Sequence, residues 1–489
     1  MKANKTHSSL SLNFVMNIIL KLSTLIFPLI TFPYVSRILL AEGYGKIQTA
    51  TAFVSYFTLV AQLGIPTYGI RTCSIVRDDR NKLTKTAHEL LIIQTIMTAI
   101  SYAVFFVCLQ TIPKLREERL LYLINSAGIF LGTLGMEWLF QAVEQYTYIT
   151  MRSLAFKVLS VIAMFALVHS QEDYLIYAGI SVAASTGSNL LNLTQLPKYI
   201  DLRPQGDYQI KRHVKPILVF FAMVCAATVY TNLDTVMLGF MSTDADVGYY
   251  SAGVKIKNIL VSVVSALGTV LLPRVSYYFE QKQMDQFWAV LKKALNFTLL
   301  AALPLTVYFI IFARNGIYFL SGESYENAVT PMVIIMPTVL LIGMTGIIGY
   351  QLLVPTGREN IVMYSTIVGA LVDLVANAIL IPRFQASGAA MGTLIAELAV
   401  FGMQLWILRR EIVPLLKTIR FHHLAIAMII CSTASFWVCL LPISNFFILA
   451  ISAVIFFGVY ALYLHLIKEP FVMDLEKKVF LKFSSIRKK

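Results

Sequence analysis

The 489-residue chain is 57% hydrophobic and 13% charged, and its formal net charge is +14 at pH 7. Soluble globular chains carry about 25% charged residues, so this composition excludes a soluble protein and predicts one that crosses a membrane several times. The five cysteines lie in or beside apolar segments without a CxxC pair, which favours apolar packing over a metal or disulfide site.

Six apolar segments long enough to cross a bilayer precede a polar connector, and eight follow it. A helical span needs roughly 20 mostly apolar residues, and the runs are continuous rather than alternating, which favours helices over barrel strands. The predicted spans are 12–34, 46–66, 87–109, 120–141, 150–169, 174–194, 216–240, 250–272, 289–312, 330–354, 361–381, 387–408, 422–441 and 444–466. We predict an all-α membrane protein with 14 transmembrane helices and no removable signal peptide.

The Lys and Arg residues are distributed unevenly between alternate loops, and this orients the chain. Thirty of the 40 fall in segments on the side of the N-terminus, seven on the other side, and three, Lys21, Lys255 and Lys257, within spans. The positive-inside rule then places both termini in the cytoplasm. Topology explains the basic balance, so we expect no nucleic-acid partner.

Two weakly similar landmarks suggest that the first twelve spans arose by duplication. AEGYGKIQTA after span one resembles DADVGYYSAG after span seven, with Gly43 equivalent to Gly248. LFQAVEQYTYI after span four resembles LLVPTGRENIV after span ten, with Phe140 equivalent to Leu353. Six-span repeats share one orientation, so a pseudo-two-fold axis along the membrane normal and a cavity between the repeats are expected. The predicted division is an N-lobe at 1–197, a connector at 198–215, a C-lobe at 216–410, and spans 13 and 14 with a cytoplasmic tail at 411–489.

The first two spans of each repeat carry polar residues at helical spacing on one side. Stripes of Ser and Thr are more often helix-packing features than binding sites. A charged group near the bilayer centre costs about 2.5 to 3.5 kcal/mol and seldom faces lipid. The stripes are Asn13, Asn17, Lys21, Thr24 and Pro28; Gln48, Thr51, Ser55, Thr58 and Gln62; Thr228, Thr231, Asp234 and Thr235; and Ser251, Lys255, Asn258, Ser262, Ser265 and Thr269.

Lysine is the main charged residue of these stripes, which predicts an anionic cargo with phosphate as the obvious group. Lys21 lies about 13 Å into its helix at 1.5 Å per residue. Lys255 and Lys257 fall within the first two turns of span eight, where snorkelling to the headgroups explains them equally well. The predicted substrate-binding residues are Lys21, Asn17, Lys255, Lys257 and Asn258.

Carboxylates are few in the spans. Asp234, near the outer end of span seven, is interpreted either as an ion-pair partner of Lys255 or Lys257 or as a group titrated in coupling. Asp373 with Asn377, and Glu397, belong to spans eleven and twelve, where packing or an internal ion pair is the preferred interpretation.

Four stretches resemble the polysaccharide transporters, or oligosaccharide flippases, of the multidrug/oligosaccharidyl-lipid/polysaccharide exporter superfamily. They are FPYVSRILLAEGYG (32–45), LGIPTYGIR (63–71), VRDDRNKL (76–83) and EWLFQAVEQY (137–146). The resemblance implies a two-lobed transporter that moves an undecaprenyl-diphosphate-linked oligosaccharide from the inner to the outer leaflet of the bacterial cytoplasmic membrane by alternating access. Such transport serves surface polysaccharide synthesis, whether of capsule, exopolysaccharide or O-antigen.

The same resemblance implies H⁺ or Na⁺ coupling without a cofactor, and membrane lipids, a polysaccharide polymerase and chain-length proteins as partners. Lys21, Lys255 and Lys257 would take the role of the family's basic cavity residues. Glu137 and Gln141, at the inner end of span four, are interpreted as part of a gate or of the fold.

Three alternatives remain open at this point. A cation-coupled multidrug antiporter of the same superfamily would favour an acidic cavity and twelve spans. A peptidoglycan-precursor flippase would share the fold and the anionic cargo. A membrane-embedded glycan polymerase or ligase is disfavoured because the outer loops are short and no nucleophile–base pair is present.

Overall fold

The computed structural model describes residues 10–417, 419–470, 472 and 473. Every regular element in these ranges is a helix, which confirms the predicted all-α membrane protein. The predicted cytoplasmic tails at both ends lie largely outside the described residues, as does the side chain of Thr269.

The chain divides into two compact units, Met1–Gly248 and Tyr249–Lys489. The helices of the first unit are α1 Leu10–Gln62, α2 Ile65–Val76, α3 Arg80–Thr111, α4 Pro113–Glu117, α5 Arg119–Gly135, α6 Glu137–Ala142, α7 Tyr146–Leu167, α8 Tyr174–Thr186, α9 Leu190–Gln195 and α10 Lys211–Met241. Helix α11, Asp244–Glu280, begins in the first unit and continues in the second. The second unit then contains α12 Met284–Ile311, α13 Ala313–Ser321, α14 Val329–Ile335, α15 Thr338–Ile347, α16 Glu359–Ile407, α17 Arg409–Lys417, α18 Phe421–Phe436 and α19 Asn445–Leu466.

Two helices are too long to be single spans. A straight 53-residue helix such as α1 would be about 80 Å long, against a hydrocarbon core of about 30 Å. The backbone breaks at Leu40 in α1 (φ 55°) and at Gln385 in α16 (φ 52°), both non-glycine residues with positive φ. Each break therefore separates two spans.

Within the described ranges, nine helical segments are long and apolar enough to cross a membrane, or ten with the bent segment Asp244–Ala266 and Leu271–Glu280. Two of these segments contain the breaks at Leu40 and Gln385. The shorter helices α5 and α8 coincide with predicted spans four and six. This arrangement is consistent with 14 spans.

The two landmarks at positions 140 and 353 have the same backbone turn. In the first unit, Gln145 N–H donates to the carbonyl of Phe140 at 2.9 Å, and in the second, Arg358 N–H donates to that of Leu353 at 2.8 Å. The residue just before each donor has positive φ, 59° at Glu144 and 69° at Gly357. Gln145 and Arg358 are as far apart in sequence as the predicted equivalents Phe140 and Leu353. This part of the duplication is therefore visible in the backbone.

The other landmark forms a close, reciprocal contact inside the first unit. A Cβ added to Gly45 would lie 1.7 Å from the carbonyl oxygen of Asp244, and one added to Gly248 would lie 2.1 Å from that of Ala41. The first helical turn after the break at Leu40 therefore crosses the first turn of α11 with the two backbones in contact. Small residues permit such a close approach between helices in membranes. The reciprocity pairs Gly248 with Gly45, two residues beyond the Gly43 suggested by the sequence.

The predicted connector is fixed to α3 rather than extended freely. Glu89 of α3 is fully buried and accepts from Arg212 (2.6 Å), His213 (2.8 Å) and the Gln209 N–H (2.7 Å). Nearer the start of α3, Arg80 forms an ion pair of 2.8 Å with Asp201. A buried carboxylate requires such partners, so Glu89 holds the connector against the first unit.

Helix α3 itself begins at a carboxylate cap. Asp79 accepts hydrogen bonds from the backbone N–H groups of Asn81 and Lys82, each at 3.1 Å. The bond from the Lys82 N–H, followed by the Lys82 ammonium, lowers the pKa of the Asp79 carboxyl below its usual value. The charged form of Asp79 therefore stabilises the start of α3.

Candidate functional site

The first span of α1 and helix α7 run parallel and in register. Three hydrogen bonds join them, and in each the partners are 134 residues apart in sequence. They are Thr150 Oγ1 to Met16 O (3.0 Å), Lys157 Nζ to Ser23 Oγ (2.7 Å) and Tyr34 OH to Val168 O (2.7 Å). A residue of α1 therefore lies at the same depth as the residue of α7 numbered 134 higher.

Lys157 is a buried ammonium deep in α7. It lies 11 residues after Tyr146, the first residue of the helix, which is about 16 Å along the axis. Its side chain is 9% exposed. An ammonium has three donors, and among the described residues the only hydrogen bond found for Lys157 is the one to Ser23.

Lys21 lies at nearly the same depth as Lys157. By the register of the two helices it is level with position 155 of α7, about 3 Å from the level of Lys157. Lys21 is exposed, and Asn17, one turn before it, is half-buried. Ser23 lies two positions after Lys21, about 200° around the helix, so these two side chains leave α1 in nearly opposite directions. Two cationic side chains thus occupy one level of the first unit, one buried and one accessible.

Arg152, one turn before Lys157 in α7, is the centre of a buried polar cluster. Its guanidinium donates to Glu137 Oε2 (2.7 Å), Ser188 Oγ (2.6 Å) and Asn189 Oδ1 (2.9 Å). Its side chain is 2% exposed, whereas that of Glu137 is 37% exposed. The Nε atom has no hydrogen-bond partner among the described residues. The ion pair is thus enclosed on the arginine side and open on the carboxylate side.

Glu137 and Gln141 belong to this cluster. Gln141 Nε2 donates to Glu137 Oε1 at 3.2 Å, which leaves both carboxylate oxygens engaged. Glu137 begins α6 directly after Met136, whose φ of 41° turns the chain out of α5. Gly135 allows this approach, because a Cβ there would lie 2.4 Å from the Cβ of Asn189. The sequence motif therefore positions Glu137 against Arg152.

A polar cavity of about 480 Å³ lies elsewhere in the first unit. Four residues of the predicted stripe of span two line it, together with hydroxyl and amide groups from α5, α8 and α10. Thr51 Oγ1 donates to Asn125 Oδ1 at 3.1 Å across one wall. The polar lining residues are Thr51, Ser55, Thr58, Gln62, Asn125, Ser181, Ser185, Thr186 and Thr228. These groups are uncharged donors and acceptors, which suit the hydroxyls of a sugar.

The remaining predicted residues lie on α10 and α11. Asp234 is buried on α10, with 6% of its surface exposed. In the second unit Lys255 and Lys257 are half-buried and Asn258 is exposed. Helix α11 begins at Asp244, six residues before the predicted span, so Lys255 lies about three turns from the helix start.

The carboxylates of α16 are enclosed in the second unit. Asp373, Asn377 and Glu397 are each at most 5% exposed. A Cβ added to Gly392 would lie 2.0 Å from Asn377 Oδ1, so the two spans of α16 are tightly packed at this point. This burial agrees with the packing interpretation.

Arg152 and Lys157 fall within predicted span five (150–169), but the count of Lys and Arg placed them with the inner segment at 142–157, and the structure corrects that count. Both lie inside α7, which begins at Tyr146, and both are buried. The criterion of a polar stripe, which identified Lys21 in span one, would also have identified Lys157 in span five. Its polar residues Thr150, Ser153, Lys157 and Ser160 follow one another at helical spacing. The pairing of Arg152 with Glu137 had no such signal.

Comparison with known proteins gives a consistent result. The family described as "Polysaccharide biosynthesis protein" matches residues 10–279, and the family "MatE" matches residues 220–379. A candidate O-antigen transporter of Escherichia coli (strain K12) is 21% identical over 410 residues, covering 83% of this chain and 99% of the relative. One of Shigella dysenteriae is 25% identical over 389 residues, covering 77% and 94%.

A solved structure shares the fold over almost the whole chain. It is that of the lipid II flippase MurJ in an inward closed conformation, with a TM-score of 0.72 and 14% identity. The similarity covers 95% of this chain and 99% of that one. At this identity the likeness concerns the fold alone.

Proposed function

The chain belongs to the polysaccharide biosynthesis protein family, and on this premise we propose that it is a flippase for a lipid-linked oligosaccharide used in surface polysaccharide synthesis. The predicted superfamily is confirmed by the family matches and the shared fold. The relatives are named as transporters, which confirms the expectation of a transporter rather than a membrane-embedded enzyme. Undecaprenyl diphosphate as the carrier, alternating access and the bacterial cytoplasmic membrane with cytoplasmic termini are parts of the proposal.

The observation that carries the proposal is the pair of ammonium groups, Lys21 and Lys157, at one depth in the first unit. A diphosphate in a region of low dielectric needs counter-charges and hydrogen-bond donors. Among the described residues, the bond to Ser23 uses one of the three donors of the Lys157 ammonium. We assign Lys21 the first contact with the phosphates, with Asn17 beside it, and Lys157 the role of a second cation at the same level on the Ser23 side of α1.

The polar cavity supports an oligosaccharide cargo. Its lining offers hydroxyl and amide groups from Thr51, Asn125 and Thr228 but no charged side chain. A neutral sugar exchanges hydrogen bonds with such groups at little electrostatic cost. In this scheme cations hold the diphosphate and the cavity accommodates the sugars.

Lys255, Lys257 and Asn258 are proposed as substrate-binding residues, and Glu137, Gln141 and Asp234 as coupling or gating residues. Glu137 fits such a role because its carboxylate is partly accessible while its partner Arg152 is enclosed. A proton or Na⁺ reaching Glu137 would weaken its attraction to Arg152. A polymerase and chain-length proteins are proposed as partners.

The test is genetic complementation of a bacterium that lacks its own O-antigen or capsule flippase. We expect wild-type protein to restore surface glycan and Lys21→Ala to abolish it at normal membrane levels, with Lys21→Arg retaining part of the activity. Glycan export by Lys21→Ala at the wild-type rate would exclude the proposed phosphate contact.

Two other cargoes are separable in the same strains. Rescue of cells depleted of their own peptidoglycan-precursor flippase, without rescue of surface glycan, would assign the precursor as cargo. Drug resistance without any glycan phenotype would indicate a multidrug antiporter.

A further inference from the structure

We propose that the second unit carries a binding site for the phosphate of an anionic membrane lipid, separate from the transport path. The site is a cavity of about 420 Å³ bounded by α12, the start of α18 and the end of α19. All of its lining residues belong to the second unit, and α18 and α19 are the two spans outside the predicted repeats. The distribution of Lys and Arg places this end of the helices in the cytoplasm.

One face of α12 forms the long wall of the cavity. Ala289, Lys292, Lys293, Asn296 and Leu300 follow at helical spacing and all line it. From Lys292 to Leu300 the wall extends about 12 Å along the axis. The basic residues lie at the mouth and the apolar end reaches into the membrane, so the cavity has the polarity of a lipid headgroup with its first methylenes.

The mouth has an excess of positive charge. Lys292 and Lys293 on α12 and Arg420 before α18 are all exposed, and His423 lies one turn further on. Glu469 is the only carboxylate among the lining residues. Even with His423 neutral, three cations therefore face one anion, a balance that favours binding of a phosphate.

Glu469 is engaged in building the wall. Its Oε1 accepts from Asn296 Nδ2 at 2.9 Å and its Oε2 accepts from the Val472 N–H at 3.0 Å. These bonds tie the segment after α19 to α12 and complete the third side of the cavity. Both oxygens of the carboxylate accept a hydrogen bond, so Glu469 holds the wall in place.

The inner end of the cavity is apolar and closed. Leu300, Leu424 and Leu464 line it and are all buried. The Tyr460 hydroxyl donates to the Leu300 carbonyl at 3.0 Å, which satisfies the backbone at this point. A free phosphate would gain nothing from apolar walls, whereas a lipid can bury its glyceride portion there. Basic pockets between transmembrane helices at the cytoplasmic side suit anionic headgroups.

The test measures lipid binding to the purified full chain in detergent by native mass spectrometry, with dioleoylphosphatidylglycerol, dioleoylphosphatidylcholine and inorganic phosphate as probes. We expect phosphatidylglycerol to bind at least tenfold more tightly than phosphatidylcholine. The triple variant Lys292→Gln, Lys293→Gln, Arg420→Gln should weaken phosphatidylglycerol binding by roughly 100-fold. Ala289→Trp, which fills the mouth without changing charge, should also abolish tight binding.

A charge-matched control is available in the first unit. Arg203→Gln, Lys211→Gln, Lys215→Gln removes three exposed basic residues on the same predicted side and should leave binding unchanged. Equal binding of both lipids by the wild type, or equal losses in the two triple variants, would overturn the proposal. Inorganic phosphate binding as tightly as phosphatidylglycerol would also overturn it, because the site would then hold a soluble anion.

Discussion

Replacing Lys157 by methionine should abolish transport while making the protein more stable. Methionine retains the length of the side chain and removes the charge. Ser23 does not lose its hydrogen bonding in the variant, because its hydroxyl also contacts the Leu20 carbonyl at 2.6 Å. The buried ammonium is thus removed without leaving a polar group unsatisfied.

The two effects can be estimated separately. A charged residue near the bilayer centre costs about 2.5 to 3.5 kcal/mol, and the hydrogen bond from Lys157 to Ser23 offsets about 1 kcal/mol of this. The variant should therefore gain roughly 1.5 to 2.5 kcal/mol of stability. A phosphate about 4 Å from the ammonium at an effective dielectric constant of about 20 would lose about 4 kcal/mol of attraction, which is up to 1000-fold in affinity.

The assay combines surface glycan export in a flippase-deficient strain with the melting temperature of the detergent-purified protein. If Lys157 were needed only for folding, its replacement would lower both export and the melting temperature. We expect instead that export falls and the melting temperature rises. Ser23→Ala retains the ammonium and should export at close to the wild-type rate. Lys82→Met, at an exposed ion pair with Asp79, controls for loss of a lysine. Normal export by Lys157→Met, or a lower melting temperature, would refute the assignment.

Three further predictions concern the first unit. Gly45→Ala should lower the melting temperature and glycan export together, because the new Cβ would lie 1.7 Å from the Asp244 carbonyl oxygen. Overpacking of this kind costs about 1 to 3 kcal/mol. An unchanged melting temperature would contradict the close contact. Arg152→Met should destabilise the protein by about 1 to 3 kcal/mol, since Glu137 is left without its cation but can still reach water. Adding Glu137→Gln should recover part of this stability in a thermal melt. A double variant less stable than Arg152→Met would argue against the ion pair. The lowered pKa of Asp79 means that its contribution is complete above the ordinary carboxyl pKa and is lost as the pH falls through the lower folded value. Hydrogen exchange at the first amides of α3 should therefore rise at acid pH relative to Asp79→Asn, and identical profiles for the two proteins would exclude the effect.

Two features of the first unit show which polar groups a sequence pattern can find and which it cannot. The stripe of span two predicted a polar wall, and Thr51, Ser55, Thr58 and Gln62 do line one cavity. A single-helix pattern can give this result because helical spacing alone determines which residues share a face. Lys157 lies within predicted span five (150–169) but was counted with the inner segment at 142–157, so its charge was not weighed as one inside a span. Its contact with Ser23 spans 134 residues and has no local pattern.

The sequence by itself determined the class of protein, the approximate positions of the spans and the family. Hydrophobic length and helical spacing are local properties, since every backbone group in a membrane must be satisfied within its own helix. The tertiary structure decided which charged groups are enclosed and with which partners. It placed Arg152 against Glu137, Lys157 level with Lys21, and the cations of α12 and of the residue before α18 around one cavity. These placements depend on how helices distant in sequence pack against one another, and side-chain burial and pairing are settled only by that packing.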